Sequence, residues 1–401
     1  MNAPQTRLRS VDAVRAHQRR WLEETRLHVQ HGGEFAICNA DDFEEIFTAF
    51  GIPTLVINYW NSIITYSERK GPNYEQVLEA HGYVPHHFAL GFAAALDPSD
   101  APWGGLPKPT LIVGTTRDEA QLRVTELWAR QFGCECYPLD FSWVSQYSRE
   151  LPEKWWTYLR DRCEEIIDLN RLEQRVEQIK NLIAWLEVRV GRPFSFAKLR
   201  ETMQLLNEQM QVWEGARDMM AAARPLPVSL RDQMAMYQVT WQRGTHRNLE
   251  LTQAFRDEVR ELVARGAGCY PQERFRIYLA TSGNDPQFHA YLRERHGGAV
   301  VSNRYSAVAP MYARTLVGDD PLRALAARQL FLFDKDPHWE VEEARRWGAD
   351  AVIGLEPRGR TQSRYAEVCE AAGLPYLGLE TDEDTPEVRA LIDAFVKNRL
   401  G

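Results

Sequence analysis

Apolar positions follow two rhythms along the chain, and the rhythm changes twice. Residues 10–30 place Val11, Val14, Trp21, Leu22 and Val29 on one face of an amphipathic helix that opens on a Ser-Val-Asp cap-like start. From residue 34, short continuous apolar runs at 34–38, 54–57, 110–114 and 134–139 alternate with helical stretches at 41–50, onward to about 95, and at 118–132. Runs too short for helices, apolar on both faces and joined by helical crossovers, predict a parallel, doubly wound sheet.

Between Pro152 and about Gly266 the pattern is helical, broken at Gly191-Arg192-Pro193 and at 223–227. Charged stretches there, such as Glu164-Glu165 and 171–180, read as solvated helix faces. After Pro271 the first rhythm returns, with strands at 276–280, 299–302, 351–355 and 376–379 and helices at 286–295, 321–331, 338–347, 362–372 and 386–398. The predicted fold is α/β, with two doubly wound parallel-sheet lobes of the Rossmann or flavodoxin kind. The expected divisions are an N-terminal helix (1–31), a first lobe (32–150), a helical insert (151–268) and a second lobe (269–401).

A chain of 401 residues exceeds what one core usually covers, in keeping with several domains. The net charge of −8, with Lys and Arg interspersed among acids, argues against a nucleic-acid partner. The N-terminus lacks the apolar core of a signal peptide, and no apolar run is long enough to span a bilayer, so the expectation is a cytoplasmic protein with no membrane contact. Six scattered cysteines make a disulfide framework unexpected, and none sits in a CxxC pair. Cys134 and Cys136, one residue apart, are open to a structural or a metal-binding reading.

In doubly wound sheets ligands gather at the carboxyl ends of strands. The segments there are Cys38 to Asp42, Asn58-Tyr59-Trp60-Asn61, Thr115-Thr116-Arg117-Asp118, Thr281 to Asp285 and Glu356 to Arg360. Asp41-Asp42, Asn284-Asp285 and Thr116 to Asp118 precede helices and serve as caps or as ligand contacts. Arg117, Arg358 and Arg360 suit phosphates or a thioester oxygen as well as surface ion pairs. His86-His87 offers a proton donor, a metal ligand or plain surface; Tyr59-Trp60 fits a pocket wall or the core. Absent are a GxGxxG after a strand, a Walker lysine loop, a GxSxG elbow and an HExxH, which removes the usual support for dinucleotide, NTP, serine-hydrolase and zincin chemistry.

Gly318-Asp319-Asp320-Pro321-Leu322-Arg323-Ala324-Leu325-Ala326 resembles the "DPLEALA" segment of the 2-hydroxyacyl-CoA dehydratase and benzoyl-CoA reductase family. Ala349-Asp350-Ala351-Val352-Ile353 is similar to that family's "aDGvI" entry, and Ala372 to Asp382 (AGLPYLGLETD) to its "aGiPvLlIETD" signature, with Val388-Arg389 in the closing helix. Phe43 to Pro53 resembles the helix leading to "aaGaiP", and Val190-Gly191-Arg192-Pro193 before Leu199-Arg200 the "tGk...eeLr" transition, so the likeness spans about 30 to 400.

The resemblance implies paired, related subunits that bind an acyl-CoA and hold 4Fe-4S clusters on cysteines from three strand or helix ends. An ATP-dependent iron–sulfur activator would supply single electrons for radical dehydration or ring reduction. This sequence departs at those places: Pro85-His86-His87-Phe88, Thr115-Thr116-Arg117-Asp118 and Glu356-Pro357-Arg358-Gly359 hold no cysteine. Threonine and arginine cannot replace sulfur ligands, so no ordinary cluster is expected in this chain.

The leading expectation is therefore the cluster-free partner in a heteromer that takes a coenzyme A thioester, with the cluster in a related subunit. A second is redox-free lyase or hydratase chemistry with His86, His87, Asp41 and Glu356 moving protons and Asn58, Tyr59, Trp60, Thr116, Arg117 and Arg358 holding substrate. A third is a binding or assembly protein without turnover. Trp155, Trp156, Trp185, Trp213 and Trp241 offer the insert a subunit contact or its own core.

Overall fold

The computed structural model describes residues 8–39, 43–115, 119–140, 152–158, 162–237, 243–281, 285–308, 320–329, 337–356, 364–381 and 383–401. The first helix, α1 (Arg9–Gln30), precedes a four-stranded parallel sheet in the order β2-β1-β3-β4, built from β1 (Ala36–Cys38), β2 (Thr54–Val56), β3 (Leu111–Thr115) and β4 (Glu135–Leu139). Its helices are α2 (Glu44–Phe50), α3 (Ile57–Ser62), α4 (Gly71–Ala80), α5 (Leu90–Leu96) and α6 (Glu119–Phe132). Four helices follow: α7 (Leu169–Val190), α8 (Phe196–Ala222), α9 (Leu230–Tyr237) and α10 (His246–Ala264).

A second parallel sheet in the order β6-β5-β7-β8 uses β5 (Phe275–Ala280), β6 (Gly298–Asn303), β7 (Ala351–Leu355) and β8 (Tyr376–Leu379). With it come α11 (Pro286–Tyr291), α12 (Arg304–Val308), α13 (Pro321–Gln329), α14 (His338–Arg346), α15 (Arg364–Ala371) and α16 (Pro386–Phe395). Both sheets share one winding, the flavodoxin-like order in which the chain reverses direction beside the first strand. The expected pair of doubly wound lobes is what the chain forms.

Burial explains why the strands were so compact in the sequence. Every residue of β1, β2, β5 and β6 is buried, as strands covered on both faces must be. One apolar core runs from α1 and the first sheet through the inserted helices to Tyr278 and Val352 on one face of the second sheet. Ile277, Leu279, Val300, Ala351 and Ile353 face the opposite way, into a smaller core closed by α11 and α16 residues Phe288, Val388, Ile392 and Phe395.

Two local expectations change. The α1 start has no side-chain cap of its own: Arg9 and Ser10 donate their backbone N–H groups to the Glu258 carboxylate of α10 at 3.0 and 2.8 Å, and the Ser10 hydroxyl adds a third bond at 2.6 Å. An anion at the positive end of a helix satisfies the otherwise orphaned donors, and α1 consequently packs on α9 and α10. Burial alone would raise the Glu258 pKa, but these hydrogen bonds hold it below the ordinary value.

The helix expected from residue 41 begins at Glu44, because Phe43 takes a left-handed φ of 64° that cannot continue a right-handed helix. Burial of its whole ring offsets that backbone cost. The segment resembling "DPLEALA" becomes α13, capped by Asp320 (Leu322 N to Oδ1, 2.9 Å). It lies on α7 and α8, and Arg323 pairs with Glu164 at 2.7 Å and with Glu173. Among the described residues no helix is long and apolar enough to cross a membrane.

Candidate functional site

Each winding reverses between two strands whose carboxyl ends flank a crevice: β1 and β3 in one lobe, β5 and β7 in the other. The described residues there are Cys38, Asn39 and Thr281, all buried, and half-buried Glu356. Asp41, Thr116, Arg117, Arg358 and Arg360 lie outside the described residues. Asp285 caps α11 by accepting from Gln287 N at 2.8 Å.

β2 passes into α3 without a loop, which puts Asn58, Tyr59 and Trp60 in the first turn of that helix at the strand's carboxyl end. Tyr59 is nearly buried; its hydroxyl accepts from Arg243 Nη2 at 3.0 Å, and its ring meets Tyr237 edge-on at 5.9 Å. Tyr237, at the end of α9, in turn lies 6.0 Å from Tyr305 of α12. Three rings from the first lobe, the insert and the second lobe thus form one file.

Trp60 is fully buried and packs edge-on against Trp103 at 6.0 Å. Asn58 is half-buried, with its carboxamide oxygen shielded from solvent and no donor for it among the described residues. Asn61 accepts from Gly91 N at 2.8 Å and donates to Phe88 O at 3.3 Å, which ties α3 to the His86–His87 segment. Both histidines are exposed. His86 Nδ1 accepts from Phe88 N at 3.2 Å, leaving its ring proton on Nε2 when neutral. His87 sits by Tyr66, and desolvation, with His86 adding to it, lowers its pKa below the usual imidazole value.

Beneath the Tyr59 file lies a buried ion cluster that the sequence reading missed. Arg328 of α13 makes a two-pronged contact with Glu45, with Nη2 to Oε2 at 2.8 Å, and Arg243 Nη1 reaches Glu44 Oε2 at 3.3 Å. Desolvation works to raise the Glu45 carboxyl, but the Arg328 and Arg243 charges prevail and hold it below the ordinary range. Beside Arg243, Gly244 has φ +72°, and a Cβ there would run into the Thr202 carbonyl, so no side chain fits.

In the second lobe Arg304 opens α12 and binds buried Glu340 through Nε at 3.0 Å and Nη2 at 3.2 Å, while Nη2 also donates to Tyr365 OH at 2.5 Å. Tyr278 OH donates to the same carboxylate at 3.3 Å. The Tyr365 and Tyr376 rings stack at 6.3 Å. Glu356 lies across Gly378 of β8, where a methyl group would strike its carboxyl carbon at 2.7 Å. Its Oε1 is shielded from solvent with no donor among the described residues.

The 2-hydroxyglutaryl-CoA dehydratase D-component family model matches residues 43–400, from α2 to the end of the closing helix. The chain belongs to that family. No curated protein matches it. The family's name fixes the neighbourhood, an acyl-CoA dehydratase component, and α1 and β1 stand before the matched region.

The clusters that the resemblance implies would need converging thiolates, and all six cysteines fall within the described residues. Cys38 ends β1, Cys134 and Cys136 lie on the edge around β4, Cys163 and Cys369 sit in two helical segments, and Cys269 lies in the bend between α10 and β5. Among the described residues no three His, Cys, Asp or Glu side chains group as metal ligands. Burial pushes Cys134 up to about 11 and Cys369 to about 12, and raises Cys136 and Cys269 as well. The cysteines present do not fit a family-type cluster.

A reactivity consequence follows at neutral pH. The thiolate fraction of Cys134 is about a hundredfold below that of an ordinary thiol, so iodoacetamide should label it slowly in the folded chain and rapidly after denaturation. Mass spectrometry of the time course checks this; native-state labelling of Cys134 at the rate of free cysteine would contradict it.

Proposed function

We propose that this chain is the cluster-free subunit of a 2-hydroxyacyl-CoA dehydratase-like or benzoyl-CoA reductase-like heteromer. It completes the cleft for a coenzyme A thioester, while a related subunit carries the 4Fe-4S cluster and an ATP-dependent activator supplies electrons. The observation that carries this reading is the scatter of all six thiols in a chain whose sequence belongs to the family. Arg117 and Arg358, at strand ends, would hold the phosphates or polarise the thioester oxygen, and Asn58 would line the acyl end, backed by buried Tyr59.

A redox-free lyase or hydratase acting on the same thioester is a second reading, favoured by His87. Its lowered pKa keeps the exposed imidazole neutral, and so able to accept a proton, at pH 7. Glu356, His86 and Asp41 would share in that proton transfer.

Reconstitution separates the two. Dehydration of a 2-hydroxyacyl-CoA, or reduction of an aryl-CoA, should require this chain, a family-related subunit, the activator, ATP and reductant together. Turnover by this chain alone, without ATP or reductant, overturns the subunit reading in favour of acid–base chemistry.

A further inference from the structure

We propose that Tyr305, backed by Tyr237 and Tyr59, is an aromatic shelf that stacks a flat conjugated ring of the bound thioester. The inference rests on the acyl-CoA reading and adds what the cleft selects for. Tyr305 is 42 % exposed, whereas Tyr237 and Tyr59 are each 6 % exposed. A lone exposed tyrosine is ordinary. This one ends a file of rings with spacings of 5.9 and 6.0 Å that joins the carboxyl end of β2 to that of β6 across the insert.

The mount is rigid. Asn303 Oδ1 accepts from Ser306 N at 2.9 Å, the Ser302 and Ser306 hydroxyls bond at 2.8 Å, and Trp213 Nε1 donates to Ser306 O at 3.4 Å. Next to Tyr305, Arg304 is locked to Glu340 and Tyr365. At the far end Arg243 fixes the Tyr59 hydroxyl. A ring held on a fixed backbone, backed by a second ring, loses little freedom on binding and favours planar partners over flexible chains. Leu355, 40 % exposed at the end of β7, adds apolar surface to the same carboxyl edge of the sheet.

Two rings in a thioester meet this description, an aryl acyl group and the adenine of coenzyme A. Calorimetric titration of the full chain assembled with a family-related subunit, using benzoyl-CoA, butanoyl-CoA and S-benzoyl-pantetheine, which lacks adenine, tells them apart. The variants are Tyr305→Ala, Tyr305→Leu and Tyr305→Phe; position 305 is exposed, so folding should persist in all three.

If the acyl ring stacks, Tyr305→Ala and Tyr305→Leu weaken both benzoyl ligands by roughly 3- to 10-fold and leave butanoyl-CoA unchanged, while Tyr305→Phe retains affinity. Adenine stacking instead weakens the two coenzyme A thioesters alike and spares S-benzoyl-pantetheine. Either pattern supports the shelf. Equal affinities in all variants, a uniform loss for all three ligands, or a Leu variant as good as Phe overturns it while leaving the acyl-CoA reading intact. If the wild-type chain assembled with a family-related subunit binds none of the three, both fall.

Discussion

Replacing Arg328 with alanine should cost about 3–5 kcal/mol of stability, the range for removing one partner of a buried ion pair. Arg328 is 1 % exposed and Glu45 is fully buried, so Arg328→Ala strands a carboxylate where water cannot reach it. The pair also joins two helix ends of opposite polarity. Glu45 lies in the first turn of α2 and Arg328 near the last residue of α13, each charge complementing its own helix dipole. Urea unfolding of Arg328→Ala and of the double variant Arg328→Met, Glu45→Leu tests the mechanism. The double variant should recover most of the loss, since no charge is left unpaired. Equal destabilisation in both would point to lost packing instead.

The same pair has a pH signature. Because Glu45 is held below its ordinary value of 4.5, its contribution is complete above that value and drains away as pH falls through the lower folded value. Wild type should therefore lose stability through that acid range more steeply than the double variant.

Arg276→Ala should be comparably severe, about 3 kcal/mol or more. This side chain is 2 % exposed and gathers the carbonyls at the ends of two helices. Nη1 donates to Ala221 O at 3.2 Å and to Trp347 O at 3.0 Å, Nη2 to Ala223 O at 2.5 Å, and Nε to Glu273 Oε1 at 2.6 Å. Ala221 and Ala223 bracket the end of α8, and Trp347 follows α14, so one cation sits at the negative pole of both helices and ties the insert to β5. Arg276→Lys should recover only part of the loss, because a single ammonium cannot reach all four acceptors in the geometry of the guanidinium fork. Thermal unfolding of both variants measures the effect; a shift in midpoint of a degree or less for Arg276→Ala would contradict it.

Much of the fold was legible because its signals are local. Ala-Ile-Cys at β1 and Thr-Leu-Val at β2 are short apolar runs beside helical stretches, and burial on both faces leaves them no polar alternation. The α1 cap was not legible, since its acceptor Glu258 lies 248 residues from Ser10. Glu44, Glu45, Arg328 and Glu340 sit in helical stretches where charges ordinarily face water, and only the tertiary fold buries them against one another. Asn58 and Tyr59 stood out in the sequence by their position after a strand, whereas no local pattern marks Tyr237 and Tyr305, which only the tertiary fold brings beside Tyr59. The expectation of no ordinary cluster rests on the sequence, because no other side chain substitutes for several thiolates at once.

Iron, acid-labile sulfide and the visible spectrum of this chain, expressed alone and purified without oxygen, decide whether it carries a cluster. A cluster-free subunit is colourless, with neither element above trace. Iron and sulfide in stoichiometric amounts, with the broad absorption of a cluster, would overturn the cluster-free subunit and bring back the radical chemistry that the resemblance implies.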